Sequence, residues 1–241
     1  MRQRLKELAL PLILQKLNPH WHQLSYIKRL LRMLDVDCVI DVGANAGQYA
    51  LELRALGYKG LILSFEPDPR PYQRLERRAE RDGRWVAFNM ALGSEPGERE
   101  LNLMERSEFN SFHMPSTAES DVAASANTVV GRRLVQVETL SRVLAPLSRK
   151  HGFARAFLKM DTQGFDWEVF KGAADALELI IGFQSEIAVS RLYEGELSWL
   201  DNIARYQAAG FELLNLFSVS PGMNKLLYFD CYMARPEAVR L

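Results

Sequence analysis

The chain has 241 residues, enough for one large α/β domain with a modest extension. Its 30 basic and 30 acidic residues balance, so no global field draws in a polyanion, and nucleic acid is not an expected partner. Cys38 and Cys231 both sit in apolar strand-like runs, where a thiol behaves as a small hydrophobe; this fits a reducing, cytoplasmic setting.

Residues 1–14 place basic side chains before a short apolar run, as a secretion signal does, but Pro11 interrupts the run and no small-residue cleavage site follows. The stretch reads as an amphipathic helix, far shorter than the ~20 apolar residues of a membrane span. Three uses are open to it: packing on the domain, pairing with another subunit in a homo-oligomer, or peripheral contact with a membrane surface. Leu24, Ile27, Leu30, Leu31 and Leu34 continue as a helical stripe. Residues 1–35 are thus expected to form a helical extension ahead of a domain at 36–241. His20 and His22 flank Trp21, yet nothing nearby supplies the further ligands a metal needs, so solvated or capping histidines are expected.

The stretch 38–49, C-V-I-D-V-G-A-N-A-G-Q-Y, organises the rest. An apolar run ending in Asp41 reads as a buried parallel strand reaching the open edge of its sheet. Gly43 and Gly47 bracket a tight turn, and residues 48–56 have helical spacing. A strand, a glycine turn and a helix N-terminus make a cradle for a small molecule, because glycine admits a ligand close to the backbone and the first helical N–H groups are unpaired donors. The dinucleotide fingerprint has a glycine where this chain has Asn45. A bulky amide sits badly under a pyrophosphate and well beside an amino-acid carboxylate and amine, which favours S-adenosylmethionine over NAD. The next strand, L-I-L-S-F-E-P-D-P, ends at Glu66, 19 positions beyond Gly47, where an acid accepts hydrogen bonds from both ribose hydroxyls.

A helix with a solvated, arginine-rich face follows, then a third strand at 85–93 with Asn89 and Ala91 beyond its end, where a contact to adenine or ribose is expected. Residues 98–104 alternate like an added antiparallel strand. Residues 105–131 read as a long, partly mobile loop carrying Asn110, Ser111 and His113 over the substrate. His113 is a candidate base there, or a plain surface histidine. Residues 135–140 form a short strand. In A-F-L-K-M-D-T-Q-G-F-D-W-E-V-F-K-G, 156–172, an apolar strand puts Lys159 and Asp161 on one face, and the chain turns at Gly164 into a helix. A fifth strand, 180–187, carries Glu186, so two acids at adjoining strand tips face one crevice if the strand order is doubly wound. A helix at 197–209 and two antiparallel strands close the chain. Tyr193, Trp199 and Tyr206 are read as packing residues, with sugar stacking the minority use.

Taken in order, D-V-G-A-N-A-G-Q-Y, S-F-E-P-D-P, N-M-A-L-G and L-K-M-D-T-Q-G-F-D-W-E-V-F-K-G resemble the FkbM-type S-adenosylmethionine-dependent methyltransferases over about residues 36–234. The resemblance implies a class I methyltransferase fold, a doubly wound, mostly parallel Rossmann-like sheet with an antiparallel C-terminal strand. It also implies methylation of a hydroxyl oxygen, often on a sugar or polyketide. Carried over by position, Asp41, Gly43, Ala44 and Asn45 would hold the methionine part, Glu66 the ribose, and Asn89 and Ala91 the adenosine side. Gly47, Tyr49 and Pro67 lie in the same motifs and are counted with the cofactor site. Lys159 and Asp161 would line the reacting end. Relatives often have Glu where this chain has Gln163, so no carboxylate role transfers to that position.

An alcohol is barely ionised near neutrality, so a base must act in the transition state. Asp161 is expected to orient cofactor or acceptor, and His113 or Glu186 to take the proton. No tight metal-ligand spacing is visible, and no metal is assigned. Two alternatives stay open at this point: a nicotinamide oxidoreductase, and a binding module that keeps the fold without the chemistry.

Overall fold

A computed structural model describes residues 20–116, 128–191, 193–219 and 226–239. The amphipathic segment expected at 1–18 lies outside the described residues, as does 117–127 of the long loop.

Helix α1 (Trp21–Met33) leads into strand β1 (Cys38–Val42), helix α2 (Gln48–Ala55), strand β2 (Leu61–Phe65), helix α3 (Pro69–Ala79) and strand β3 (Trp85–Phe88). Strands β4 (Ala91–Leu92), β5 (Gly97–Met104) and β6 (Val129–Glu138) come next. Helix α4 (Leu140–His151), strand β7 (Ala156–Met160), helix α5 (Asp166–Lys171), strand β8 (Ile180–Ala188), helix α6 (Trp199–Ala208) and strands β9 (Glu212–Ser218) and β10 (Tyr228–Ala234) complete the chain. The seven-stranded sheet runs β3-β2-β1-β7-β8-β10-β9. It is parallel from β3 to β8, and β10 pairs antiparallel with both β8 and β9. This is the doubly wound sheet with an antiparallel ending that the sequence implies.

Every residue of β1, β2 and β7 is buried, which is why these strands read as unbroken apolar runs. Helices α1, α2 and α3 bury Ile27, Leu30, Leu53 and Leu75 in a cluster with Val39 and Ile62 on one face of the sheet, and α4 to α6 cover the other. Helix α1, within the segment expected as a helical extension, therefore packs into the core of the domain that follows it. Caps fix the helix starts: Asp68, Thr139 and Ser198 each accept a hydrogen bond from a first-turn amide.

Strands β4, β5 and β6 form a separate three-stranded sheet. The strand expected at 98–104 thus does not extend the main sheet, and the one expected at 135–140 begins earlier, at Val129. A short 3-10 helix (Ser107–Phe109) and bridges from Ser111 to Asn102 and from Pro115 to Tyr193 give the described part of the long loop fixed partners. Both cysteines are free and buried. No helix among the described residues is long and apolar enough to cross a membrane.

Candidate functional site

The C-terminal tips of the parallel strands open on a cavity of about 350 Å³, within the range of small-molecule sites. On the β2 side it is lined by Phe65, Pro67, Ala91, Leu92, Leu101 and Phe112, an apolar wall. On the far side α1, β8 and β10 supply Gln23, Gln184, Glu186, Asp230 and Tyr232. Between them stand Gly43, Ala44, Asn45, Tyr49, Glu66, Lys159 and Asp161.

Glu66 follows β2 and is 6 % exposed. Its two carboxylate oxygens accept the backbone N–H groups of Asn45 and Asp68, each at 2.8 Å. Burial pushes its carboxyl up to about 7, against the pull of those two amides. The orientation is held from behind: Asn89 donates from its amide to the carbonyls of Glu66 and Pro67, at 2.9 and 3.1 Å. Asn89, expected at the adenosine side, is not among the cavity-lining residues and supports the Glu66 turn.

The two glycines of the turn make different close approaches, and Gly43 alone of the two lines the cavity. Gly43 has φ +76, and a Cβ there would lie 2.0 Å from the Asp161 carbonyl oxygen, so glycine lets the tips of β1 and β7 close on each other. Gly47 has φ +86, and a Cβ would meet Trp85 at 2.7 Å; it packs the helix start and does not line the cavity. Asn45 takes φ +46, a left-handed conformation that Asn tolerates, and donates from its side chain to Ser107 of the 3-10 turn at 2.9 Å.

Lys159 Nζ lies 3.2 Å from Asp41 and 3.4 Å from Asp161, and 5.4 Å from the centre of the Tyr49 ring. Burial opposes its charge, but Asp161 and Asp41 outweigh that and hold the ammonium above its ordinary value. Tyr49 donates to Gln184 at 3.1 Å. Asp161 and Glu186, expected at adjoining strand tips, do meet: both accept from Nε2 of Gln163, at 2.9 Å each. Burial, then Asp161 and Asp230, push Glu186 well above the usual carboxylate range.

His113 is not among the cavity residues; its ring lies 5.7 Å from that of Phe165, and burial, then Arg99, hold it below its ordinary value. Of the polar groups on the described part of that loop, Asn110 does line the cavity. Ser111 instead donates to the Gln163 carbonyl at 2.7 Å. Gln23, Glu52, Gln184 and Asp230 were not legible as site residues. Gln23 donates to both Asp230 and Tyr232, across 207 and 209 positions of sequence. A polar residue on the apolar stripe side of α1 is the one local signal it leaves. Among the described residues no three His, Cys, Asp or Glu side chains converge as a metal site.

The family profile described as Methyltransferase FkbM domain matches residues 41–212, well over half of the chain. The chain belongs to the FkbM methyltransferase family. That membership gives S-adenosylmethionine as the cofactor and leaves the nicotinamide alternative without support. The structure of methyltransferase FkbM from Methylobacillus flagellatus KT matches 83% of this chain with a TM-score of 0.51 at 17% identity, and shows the shared fold. The present chain spans 44% of that protein's length. Magnesium protoporphyrin IX methyltransferase from Synechocystis PCC 6803, solved with S-adenosylmethionine bound, matches 90% of this chain and 79% of its own at TM-score 0.48 and 11% identity. A 1,6-didemethyltoxoflavin-N1-methyltransferase from Burkholderia thailandensis, solved with S-adenosylhomocysteine, matches 88% and 76% at TM-score 0.47 and 14% identity. No curated protein matches the sequence.

Proposed function

We propose that this FkbM-family chain is an O-methyltransferase acting on a hydroxyl of a small molecule or glycan, most readily a sugar. The observation that carries the reading is the pair of carboxylates, Asp161 and Glu186, held on one amide at the cavity wall beside the Lys159 ammonium.

The residues fit S-adenosylmethionine. Glu66 offers a buried acid with free lone pairs to a ribose diol, and the apolar wall of Phe65, Pro67, Ala91 and Leu92 suits an adenine face. Asp41, through Lys159, and the Gly43-Ala44-Asn45 backbone frame the methionine end. Acidic side chains outnumber the cationic ones along the cavity, which favours a cationic ligand. When bound, this cofactor supplies an electrophilic methyl group on a sulfonium that leaves as a neutral thioether.

Glu186 is assigned to receive the acceptor's proton. A carboxylate held well above its usual range is a stronger base and stands closer to the pH at which an alcohol must be activated. Asp161 orients the acceptor hydroxyl and, with Asp41, keeps Lys159 fixed and charged. Asn110 and Phe112, on the loop crossing the cavity, are assigned to acceptor selection. Flotation of a variant lacking residues 1–18 tests whether that segment contributes contact with a membrane surface.

Calorimetry with S-adenosylhomocysteine, followed by incubation with methyl-labelled S-adenosylmethionine and a panel of glycans and nucleotide sugars, tests the reading. Binding with label transferred to a hydroxyl is expected. Binding without transfer to any acceptor would make the chain a cofactor-binding module, and no binding would remove the site assignment altogether.

A further inference from the structure

Gln163 follows the tip of β7 in a left-handed conformation, φ +52, and is 8 % exposed. Its side chain is fully committed. Both Nε2 hydrogens are donated, one to Asp161 Oδ1 and one to Glu186 Oε2, each at 2.9 Å. Its Oε1 accepts from the Tyr193 hydroxyl at 3.1 Å, and its backbone carbonyl accepts from Ser111 Oγ at 2.7 Å. Turning the amide over would bring Oε1 against two carboxylate oxygens, so the network admits one orientation.

An NH₂ group only donates, and this fixes the state of its partners. Glu186 Oε2 and Asp161 Oδ1 must both be acceptors. Any proton that Glu186 carries is therefore on Oε1. We propose that Gln163 is a positioning residue for methyl transfer: it clamps one oxygen of Glu186, leaves the other as the atom that takes the acceptor's proton, and couples that atom to Asp161. The inference rests on the proposed role of Glu186. In the step, the acceptor's hydroxyl proton passes to Glu186 Oε1, the O–H electron pair stays on the acceptor oxygen, and the carboxylate becomes a neutral carboxyl.

Glu186 is surrounded by Asp161 and Lys159 at the β7 tip, Asp166 on α5, Asp230 and Tyr228 on β10, and Tyr193 beyond β8. In that setting the amide favours the ionised carboxylate, since a hydrogen bond donated to the charged form stabilises it. Removing it raises the pH at which Glu186 ionises. Replacing it by Glu adds a further carboxylate beside Asp161, Asp166 and Asp230 and raises it further.

The test uses the full chain saturated with S-adenosylhomocysteine, its glutamates labelled at the side-chain carboxyl carbon and Glu186 assigned through Glu186→Gln. Carbon NMR titrations of wild type, Gln163→Leu, Gln163→Glu and Tyr193→Phe give the ionisation midpoint directly, with no acceptor needed. Gln163→Leu is expected to raise it by about one pH unit, the tenfold effect of one charge-assisted hydrogen bond. Gln163→Glu should raise it more than Gln163→Leu, and Tyr193→Phe, which leaves the amide in place but loosens it, less. Tyr193→Phe carries the test if either Gln163 variant fails to fold. Unmoved midpoints in folded variants that still bind S-adenosylhomocysteine would overturn the inference while leaving the cofactor site intact. Failure of the wild type to bind S-adenosylhomocysteine would instead strike the proposed function. Once an acceptor is in hand, Gln163→Leu should lower kcat and shift its pH profile upward by the same amount, with the KM for S-adenosylmethionine unchanged.

Discussion

Lys159 places its ammonium 3.2 Å from Asp41, a carboxylate wholly shut off from solvent. Ser64 on β2 donates to the other oxygen of Asp41 at 3.2 Å, and Trp85 on β3 donates in turn to Ser64 at 3.0 Å. A line of two hydrogen bonds and one ion pair thus runs across four neighbouring strands, from β3 through β2 and β1 to β7. It ties the position of Asp161 to the sheet, because Lys159 also holds Asp161 at 3.4 Å.

Breaking that line at the lysine leaves a buried charge without its partner. Lys159→Met is expected to cost about 3–5 kcal/mol and to lower the thermal midpoint by on the order of 10 °C for a domain of this size. Lys159→Met combined with Asp41→Asn should recover most of the loss, since the stranded charge is then gone. Denaturant titrations of the two single variants and the double variant check this. A loss under about 1 kcal/mol in Lys159→Met would show that the pair behaves like one in solvent.

Glu66 gives a second prediction, on binding. Its carboxyl ionises at about 7 in the free protein, and a ribose diol donates to the ionised form. The affinity for S-adenosylhomocysteine should rise from about pH 6 to about pH 8 and then level off. Glu66→Gln should weaken binding by about 10- to 100-fold, the worth of a hydrogen bond to a charged group, and remove the pH trend. Calorimetry at three pH values reads both effects.

How much of this was legible depended on sequence separation. The turn around Gly43 and the acid Glu66 announce themselves through local periodicity and a fixed offset, and the buried parallel strands read directly as apolar runs. Asp161 and Glu186 could be placed together because doubly wound topology makes their strands neighbours. What stayed hidden depends on long-range closure. Gln23 meets Asp230 only because α1 packs across the sheet onto β10, and no local pattern in either segment encodes that. The packing of His113 and Asn89 was hidden for a related reason. Their residue types suit a site, but His113 packs beside Phe165, and Asn89 braces the Glu66 turn.

The buried acids also set how stability depends on pH. Asp230 is pushed up to about 6 and Glu66 to about 7, chiefly by burial, and Glu186 higher than usual for the same reason. In the unfolded chain such groups ionise near about 4. The folded state therefore holds more protons across the interval. The stability these groups contribute is complete below about pH 4 and is lost as the pH rises through 6 and 7. Burial pushes Asp41, Glu52 and Asp166 up as well, and His113, held below its ordinary value, works in the opposite sense to all of these acids. The thermal midpoint should be lower at about pH 8 than at about pH 5.5. Asp230→Asn should narrow the gap, and an unchanged gap in that variant would remove Asp230 from the account.

The approach of β1 to β7 is the feature least tolerant of change. Gly43→Ala adds a methyl group 2.0 Å from the Asp161 carbonyl oxygen, where the obstacle is backbone and cannot swing aside. It also forces a side chain into the left-handed region, at about 1–2 kcal/mol, beyond the roughly 1–3 kcal/mol of overpacking. Gly57→Ala is the matched control: its φ is +88, but nothing lies within 4 Å of the added Cβ, so only the conformational part applies. Denaturant unfolding should find Gly43→Ala the costlier of the two by at least about 1 kcal/mol. Gly43→Ala should also weaken S-adenosylhomocysteine binding, because parting the strand tips displaces Asp161 and the Asn45 amide together, whereas Gly57→Ala should leave binding unchanged. Equal stability losses in the two variants would mean that the strand tips yield freely, and the close contact of Gly43 with Asp161 could then not be what shapes the cavity.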